Sequence, residues 1–397
     1  MPLKETDVPV VPVVPVVPVV PVASVTPVTP VAQVLQVAGH GAIRAEPADN
    51  GTTLLKPYSV GEFAFYRCLF KGSEETQGAH IPPHIQELQS FVPSFFGLRE
   101  EVEASVFQAN TPLCAEHLQE PELESQSPTH APKRPKVGDS ALVERSDEIQ
   151  WMRRFERIRR QLQELASAEQ VDFGEDDSKH KTSEQARPSS RLYLCMENLM
   201  LPFERPCALD IKLGTQQYEP TSSVAKSSKH LQKAMRTTSA SLGFRLSGMA
   251  GYDTHLQRSF VRRKNAHRSL EQSEIVAELL LFFHDGTQVR VNVLAAVVDA
   301  VSRIYDRFVR DQALLLIYSG SLLIAFDGEE ASKHDTAPSV TVRLIDFVHS
   351  LPSFGQRDQS LMFGMEGLLK ALRDALVQAD DHHEYIARTM HENDAEV

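Results

Sequence analysis

Residues 206–218 read Pro206-Cys-Ala-Leu-Asp-Ile-Lys-Leu-Gly-Thr-Gln-Gln-Tyr218, and the fold turns on them. Leu209, Ile211 and Leu213 alternate with Asp210 and Lys212, the period of a strand whose successive side chains point to opposite faces. Asp210 and Lys212 therefore share one face, and the apolar residues the other. Gly214 follows, a residue free to turn the chain sharply. A carboxylate and an ammonium so spaced suit a site that holds hydroxyls and phosphates together. They equally suit a strand with a solvated polar face.

The chain has 397 residues, room for one large domain or for two lobes with tails. Its hydrophobic content of 42% is enough for a core. A net charge of −12 argues against general nucleic-acid or membrane-surface binding. The distribution of charge says more than the sum. Between Pro220 and Leu270 the one acid is Asp253, while Lys226, Lys229, Lys233, Arg236, Arg245, Arg258, Arg262, Arg263, Lys264 and Arg268 lie in the same stretch. An acidic chain with one such segment is suited to a small polyanion there. Cys68, Cys114, Cys195 and Cys207 form neither a zinc spacing nor a secreted disulfide framework, and read as reduced thiols of an intracellular protein. No uninterrupted apolar run is long enough to span a bilayer, so no membrane insertion is expected.

Pro206, Asp210, Lys212 and Gly214 have the spacing P-x-x-x-D-x-K-x-G, which resembles the signature of the inositol polyphosphate kinase family. Tyr193–Gly214, YLCMENLMLPFERPCALDIKLG, and Thr237–Met249, TTSASLGFRLSGM, resemble its multikinase branch. The matching motifs spread over most of residues 35–370. The resemblance implies an α+β, two-lobed, kinase-like fold with an ATP cleft between the lobes. It divides the chain into an amino-terminal lobe over 32–114, an insertion over 115–190 and a carboxy-terminal lobe over 191–378.

The flanking and inserted segments read from composition. Residues 8–31 repeat Val-Pro-Val, which excludes a helix or interior strand and predicts an extended tail over 1–31. Residues 115–146 are rich in Glu, Ser, Pro and Gln and predict disorder. Within them, Lys133-Arg134-Pro135-Lys136 resembles a nuclear import signal, which gives an expected localisation in nucleus and cytoplasm. Ser146 then reads as the N-cap of a helix to Glu169, with Asp147 and Glu148 in its first turn. Ile149, Met152, Phe155, Ile158 and Leu162 form its apolar stripe, and Arg153, Arg154, Arg157, Arg159 and Arg160 a solvated basic face. Residues 379–397 read as a loose acidic tail.

In the amino-terminal lobe, Gln36–His40, a polar turn over Glu46–Gly51 and Thr53–Pro57 read as two antiparallel strands. Lys56 ends the second. It is either a solvated lysine at a strand edge or a lysine that holds ATP phosphates. Glu62 follows with Phe65 and Tyr66 at helical spacing, in position to pair with Lys56 from a packed helix. The resemblance favours the phosphate-binding role. The multikinases often carry a substrate-reaching arginine just after this lysine, and Pro57–Gly61 contains none. Leu192–Met196 reads as a buried strand ended by Glu197-Asn198-Leu199. By resemblance this is the hinge, where the backbone carbonyl of Glu197 and amide of Leu199 read adenine.

After Pro220 a helix is predicted. At 100° per residue, Lys226, Lys229, His230, Lys233 and Arg236 fall on one arc, with no acid at i±3 or i±4 to relieve their repulsion. A bound polyphosphate would supply the counter-charge; the alternative is a solvated face. Arg245 suits either a structural or a phosphate-binding role, and Arg262-Arg263-Lys264 extends the basic surface. Val340–Leu351, VTVRLIDFVHSL, ends a buried strand at Asp346, where a carboxylate is costly unless paired or on a metal. The text resembles the family's I-D-F-A-H with Val348 in place of alanine. The resemblance makes Asp346 the Mg²⁺ ligand, sets His349 near the inositol ring, gives Asp210 the ribose and has Lys212 bridge substrate and transferred phosphoryl.

The expected activity is phosphoryl transfer from ATP to inositol 1,4,5-trisphosphate and an inositol tetrakisphosphate, with Mg²⁺. Its catalytic residues are Lys56, Asp210 and Lys212, and its substrate contacts Lys212, Lys226, Lys229, Lys233 and His349. An inositol hexakisphosphate kinase is the nearest rival. A non-catalytic inositol phosphate-sensing scaffold in transcription is a rival of another class. A protein kinase is disfavoured, since neither H-R-D nor G-x-G-x-x-G occurs. Stable nucleic-acid binding is not expected.

Overall fold

The computed structural model describes residues 43–70, 81, 83–102, 140–168, 190–310, 314–329 and 338–394. The Val-Pro tail, Gln36–His40, Cys114 and Lys133–Lys136 lie outside the described residues.

Two antiparallel sheets build two lobes. The first is assembled from β1 (Arg44–Ala45), β2 (Thr53–Pro57), β3 (Phe95–Val102) and β4 (Ser190–Glu197), in the order β1-β2-β4-β3. Between β2 and β3 come α1 (Val60–Phe70) and the short α2 (Pro83–Glu87). The second sheet is assembled from β5 (Pro206–Leu213), β6 (Phe244–Asp253), β7 (Arg258–Arg262), β9 (Ser321–Asp327) and β10 (Val340–Ile345), in the order β10-β9-β5-β6-β7. Strands β8 (Leu315–Tyr318) and β11 (His349–Pro352) form a separate pair. The expected two-lobed α+β architecture is therefore present. The lobe boundary falls later than the expected position 191, because β4 lies between β2 and β3 in the first sheet. Its central place explains its apolar run: a strand paired on both sides, with Leu194 fully buried, has little room for polar residues.

The inserted helix, α3, runs Ser140–Ala168 rather than starting at Ser146. Exposed Ser146 and the half-buried Asp147 and Glu148 are tolerated within a longer helix, so they do not by themselves mark its start. Trp151, Met152, Phe155, Ile158 and Leu162 are buried. Ile149, read as part of that stripe, is exposed, and Trp151 takes its place. The helix lies against α1 and β11. Trp151 Nε1 donates to the Cys68 carbonyl at 3.1 Å, which satisfies the indole while its ring fills the core. Each fully buried large apolar side chain on such a stripe stabilises by about 1.5–3 kcal/mol.

The carboxy-terminal lobe adds α4 (Val224–Met235), α5 (Ser239–Leu242), α6 (Lys264–His267), α7 (Ile275–Phe283), α8 (Val291–Ile304) and α9 (Gln359–Asp394). Ser223 caps α4, its side chain accepting from the Lys226 amide. The closing helix α9 reaches Asp394, so the segment after 379, expected to be loose, is helical that far. Cys68, Cys195 and Cys207 are free thiols.

Candidate active site

Strand β5 carries the centre of the site. It pairs with β9 on one side and β6 on the other, and all eight of its residues are buried. Leu209, Ile211 and Leu213 enter the main core. On the opposite face Ala208 packs with Leu199, Met200, Leu323 and Ile345, so the same face presents Asp210 and Lys212 to the space between the lobes. The solvated polar strand is thus excluded. Gly214 has φ +85°, the left-handed turn that a residue with a Cβ rarely adopts.

Across the sheet, Lys212 is flanked by Ser321 on β9 and Arg245 on β6. Lys212 Nζ donates to Ser321 Oγ at 3.2 Å and to Asp346 Oδ2 at 3.1 Å. The other carboxylate oxygen of Asp346 accepts from Lys56 Nζ at 2.7 Å, and the same ammonium reaches Glu62 Oε1 at 2.9 Å. Burial works against both charges. Lys56 and Lys212 nevertheless hold the Asp346 carboxyl well below the usual carboxylate range. Asp346 and Glu62 likewise hold the Lys56 ammonium above its ordinary value. The expected Lys56–Glu62 pair is therefore present, and it comes from α1. That helix is fixed by Phe65 stacked on Phe347 at 3.8 Å between ring centroids. It is held there too by Gly61, where a Cβ would lie 1.9 Å from the Val348 carbonyl oxygen.

Asp210 differs from Asp346. Burial pushes its carboxyl up to about 6, with Lys212 opposing and Asp346 adding to the rise. Its Oδ1 is buried without a hydrogen-bond partner among the described residues. A polar atom in that condition is costly, and a hydroxyl donor would satisfy it.

Beside this polar floor is a cavity of roughly 570 Å³, solvent at its mouth included. Ile43, Leu54, Pro93, Met196, Leu199, Met200 and Leu323 line it, and Lys56, Glu62 and Asp346 close one end. Glu197 and Leu199, the expected hinge residues, are both on its wall. The Glu197 side chain accepts from the Ser94 amide and hydroxyl, each at 3.0 Å. Asn198, to which the sequence reading gives no role, pins this segment further. Its amide nitrogen donates to the Gly51 carbonyl at 2.7 Å, and its oxygen accepts from Met200 N at 3.1 Å.

On the other side of Lys212 stand the cations. Burial, then Arg245, Lys264, Lys212 and Arg268, pull the Lys233 ammonium down to about 8. Arg245 is buried, donates to Ser239 Oγ at 2.8 Å and is brought down to about 10 chiefly by that burial. His230 is lowered by burial and then by Lys233, Lys226, His349 and Lys229. Lys233 thus stands among cations from other elements, with Lys264 and Arg268 approaching from α6 and its end, while Lys226 and Lys229 lie near His230 on their own helix and Lys229 is exposed. Two other cations of the segment have different surroundings. Arg236 is exposed at the end of α4. Arg262 pairs with Glu278 at 2.7 Å, and Glu278 also meets buried His267.

His349 begins β11, and its Nδ1 lies 3.0 Å from Glu219 Oε1. Glu219 is held in turn by Arg159 Nη2, at 2.8 and 2.7 Å from its two oxygens. Arg159 was read as part of a solvated basic face; its partner lies on a separate element, so helix periodicity could not reveal it. Among the described residues no group of three or more His, Cys, Asp or Glu side chains could cage a metal ion. No helix among them is long and apolar enough to cross a membrane.

A family model described as Inositol polyphosphate kinase matches residues 193–373. Mouse (Mus musculus) inositol hexakisphosphate kinase 3 is 32% identical over 200 residues, 46% of this chain and 50% of that protein. The human (Homo sapiens) protein of the same name is 28% identical over 219 residues, 48% of this chain and 53% of that protein. The chain therefore spans about half the length of the curated relatives it matches. Among solved structures, the S. cerevisiae inositol phosphate multikinase Ipk2 in complex with ADP and Mn²⁺ is 18% identical, with TM-score 0.49, over 82% of this chain and 100% of that one. Residues 193–373 of this chain belong to the inositol polyphosphate kinase family.

Proposed function

We propose that the chain transfers the terminal phosphoryl group of ATP to a hydroxyl of an inositol polyphosphate, with inositol 1,4,5-trisphosphate and an inositol tetrakisphosphate as acceptors. One observation carries this reading. Lys212 lies between a Lys56–Glu62–Asp346 cluster on one side and a crowd of cations, Lys233, Arg245, Lys264 and Arg268, on the other. A nucleotide fits the first, and a polyanion the second.

The cavity has the division a nucleotide needs, with an apolar slot for the base and charges at one end for phosphates. In this reading the Glu197 carbonyl and Leu199 amide hold adenine, and the unpartnered Asp210 oxygen accepts from a ribose hydroxyl. Lys56 holds phosphate oxygens. Asp346 fits a Mg²⁺ ion, which binds through one or two carboxylates together with substrate phosphates. Bound there, the ion would neutralise charge on the transferring group. Lys212 contacts both substrates, while Lys226, Lys229, Lys233 and His349 hold the acceptor. Most of the catalysis is then positioning and charge stabilisation by groups already in place.

The names of the curated relatives favour a second acceptor, inositol hexakisphosphate, with a pyrophosphate as product. Incubating the purified chain with Mg-ATP and a panel from the trisphosphate to the hexakisphosphate, with products resolved by chromatography, separates the two. Turnover of the hexakisphosphate alone would replace the multikinase reading. Tight binding of the acceptors with no ADP formed would mean a sensing scaffold instead.

A further inference from the structure

We infer that Arg159, on the inserted helix α3, is a positioning residue for the acceptor site: it keeps Glu219 an ionised acceptor, and Glu219 fixes the tautomer and orientation of the His349 ring. The inference rests on the acceptor site proposed above. The three side chains are 16%, 11% and 23% exposed, respectively.

An ionised carboxylate can only accept hydrogen bonds. The 3.0 Å contact of Glu219 with His349 Nδ1 therefore requires the hydrogen on Nδ1. The other ring nitrogen, Nε2, is left for the site, and the ring stands within electrostatic reach of His230 on α4. Which nitrogen of a histidine faces a substrate is set by the bond that the other one makes. Glu219 is part-buried, and burial alone would raise its carboxyl; bonds from His349 and Arg159 hold it lower. Arg159 is the permanent cation of the pair. Without it, His349 opposes the effect of burial on Glu219 alone, and a Glu219 that takes up a proton donates to Nδ1 and leaves the ring presenting Nε2–H.

Arg159 can do this because α3 is anchored on both sides of the cleft. Trp151 bonds the Cys68 carbonyl of α1. Beyond β11, the Phe354 amide meets Met152 Sδ at 3.1 Å. One guanidinium nitrogen of Arg159, Nη2, reaches both oxygens of Glu219 and so holds the carboxylate from a single point.

The test uses the full chain labelled with ¹⁵N-histidine, with the His349 ring assigned by its loss in His349→Asn. The ring should be the Nδ1–H form in the parent chain and mixed in Arg159→Ala. Kinetics with inositol 1,4,5-trisphosphate and Mg-ATP should show kcat/KM for the acceptor lowered by about tenfold to a hundredfold, with KM for ATP unchanged. Arg159→Lys should restore the tautomer and part of kcat/KM. An Arg159→Ala chain that keeps the Nδ1–H form overturns the inference. So does one that weakens ATP and acceptor equally, since that is the mark of a merely structural helix. If the parent chain phosphorylates no acceptor, the proposed function falls on that result alone, and the His349 tautomer in Arg159→Ala still decides the link.

Discussion

Lys56 and Asp346 are 290 positions apart in sequence and meet at 2.7 Å across the two lobes. Lys56 is the penultimate residue of a strand of the first sheet, and Asp346 follows the edge strand of the second. Their contact ties the two sheets together at the charged end of the cavity. Lys212 binds the second oxygen of the same carboxylate at 3.1 Å. A phosphate arriving here meets cations already oriented, so little reorganisation is left for the reacting state.

Asp346→Asn tests this junction. The residue has φ +66°, a conformation that asparagine adopts readily, so the backbone should hold. Turnover should fall by at least about a thousandfold, since several kcal/mol of charge stabilisation goes with the lost metal site. Stability should also fall, because Lys56 and Lys212 lose their shared counter-charge; Glu62 still holds Lys56, so the loss should be about 2 kcal/mol. Asp346→Ala should melt lower still, because alanine is strained at that φ. Near-normal turnover in Asp346→Asn would sink the assignment of this carboxylate to metal and phosphate.

The legible part of the site was the part written in local alternation. Leu209 to Leu213 carry a period of two, and the strand is there with Asp210 and Lys212 on one face. Lys56 and Glu62 flank a strand-to-helix turn, so their pairing followed from local spacing. What escaped depended on elements distant in sequence. Arg159 lies among five arginines, and nothing near it indicates that Glu219, 60 residues on, will take its charge. Arg262 belongs to a basic run, but its register on β7 gives it to Glu278. The end of the first lobe was misread because β4 comes after a long insertion yet pairs between β2 and β3.

On α4 the lysines should not be equal. Lys229 is exposed, whereas Lys233 is partly buried and within reach of Arg245, Lys264, Lys212 and Arg268. A phosphate held by Lys233 sits in a drier site, where a charge-assisted bond is stronger. Lys233→Ala should cost about 1.5–3 kcal/mol of acceptor binding, a rise in KM of roughly tenfold to a hundredfold. Lys229→Ala should cost less, and Arg236→Ala almost nothing. KM for ATP should hold in all three. A larger effect from Arg236 than from Lys233 would put the polyanion at the exposed end of the helix, away from Arg245 and Lys264.

Gly61 is where α1 approaches the strand end that carries Asp346. A methyl group there would lie 1.9 Å from the Val348 carbonyl oxygen, a backbone atom with little room to yield. Gly61→Ala should cost about 1–3 kcal/mol by overpacking and move Glu62 away from Lys56. Thermal unfolding and kcat should therefore fall together, although alanine is the better helix former. A raised melting temperature with unchanged kcat would mean that the helix and this loop do not press together.

Binding of the polyanion should take up a proton at Lys233. In the ligand-free fold, burial and then Arg245, Lys264, Lys212 and Arg268 bring this ammonium from the ordinary lysine value of 10.5 to about 8. Between those values the unfolded chain holds more protons than the folded one, so stability should rise with pH across that window. Below pH 8 both states are charged, and the cost of crowding the cations is fully present. Phosphates reverse the sign by favouring the charged lysine and raising its pKa. Calorimetric titration of inositol 1,4,5-trisphosphate at about pH 9, in two buffers of different ionisation enthalpy, should show net proton uptake. Lys233→Met should remove most of it. An uptake unchanged in that variant would assign the proton to another group, and no uptake in the parent chain would mean that the phosphates do not meet Lys233.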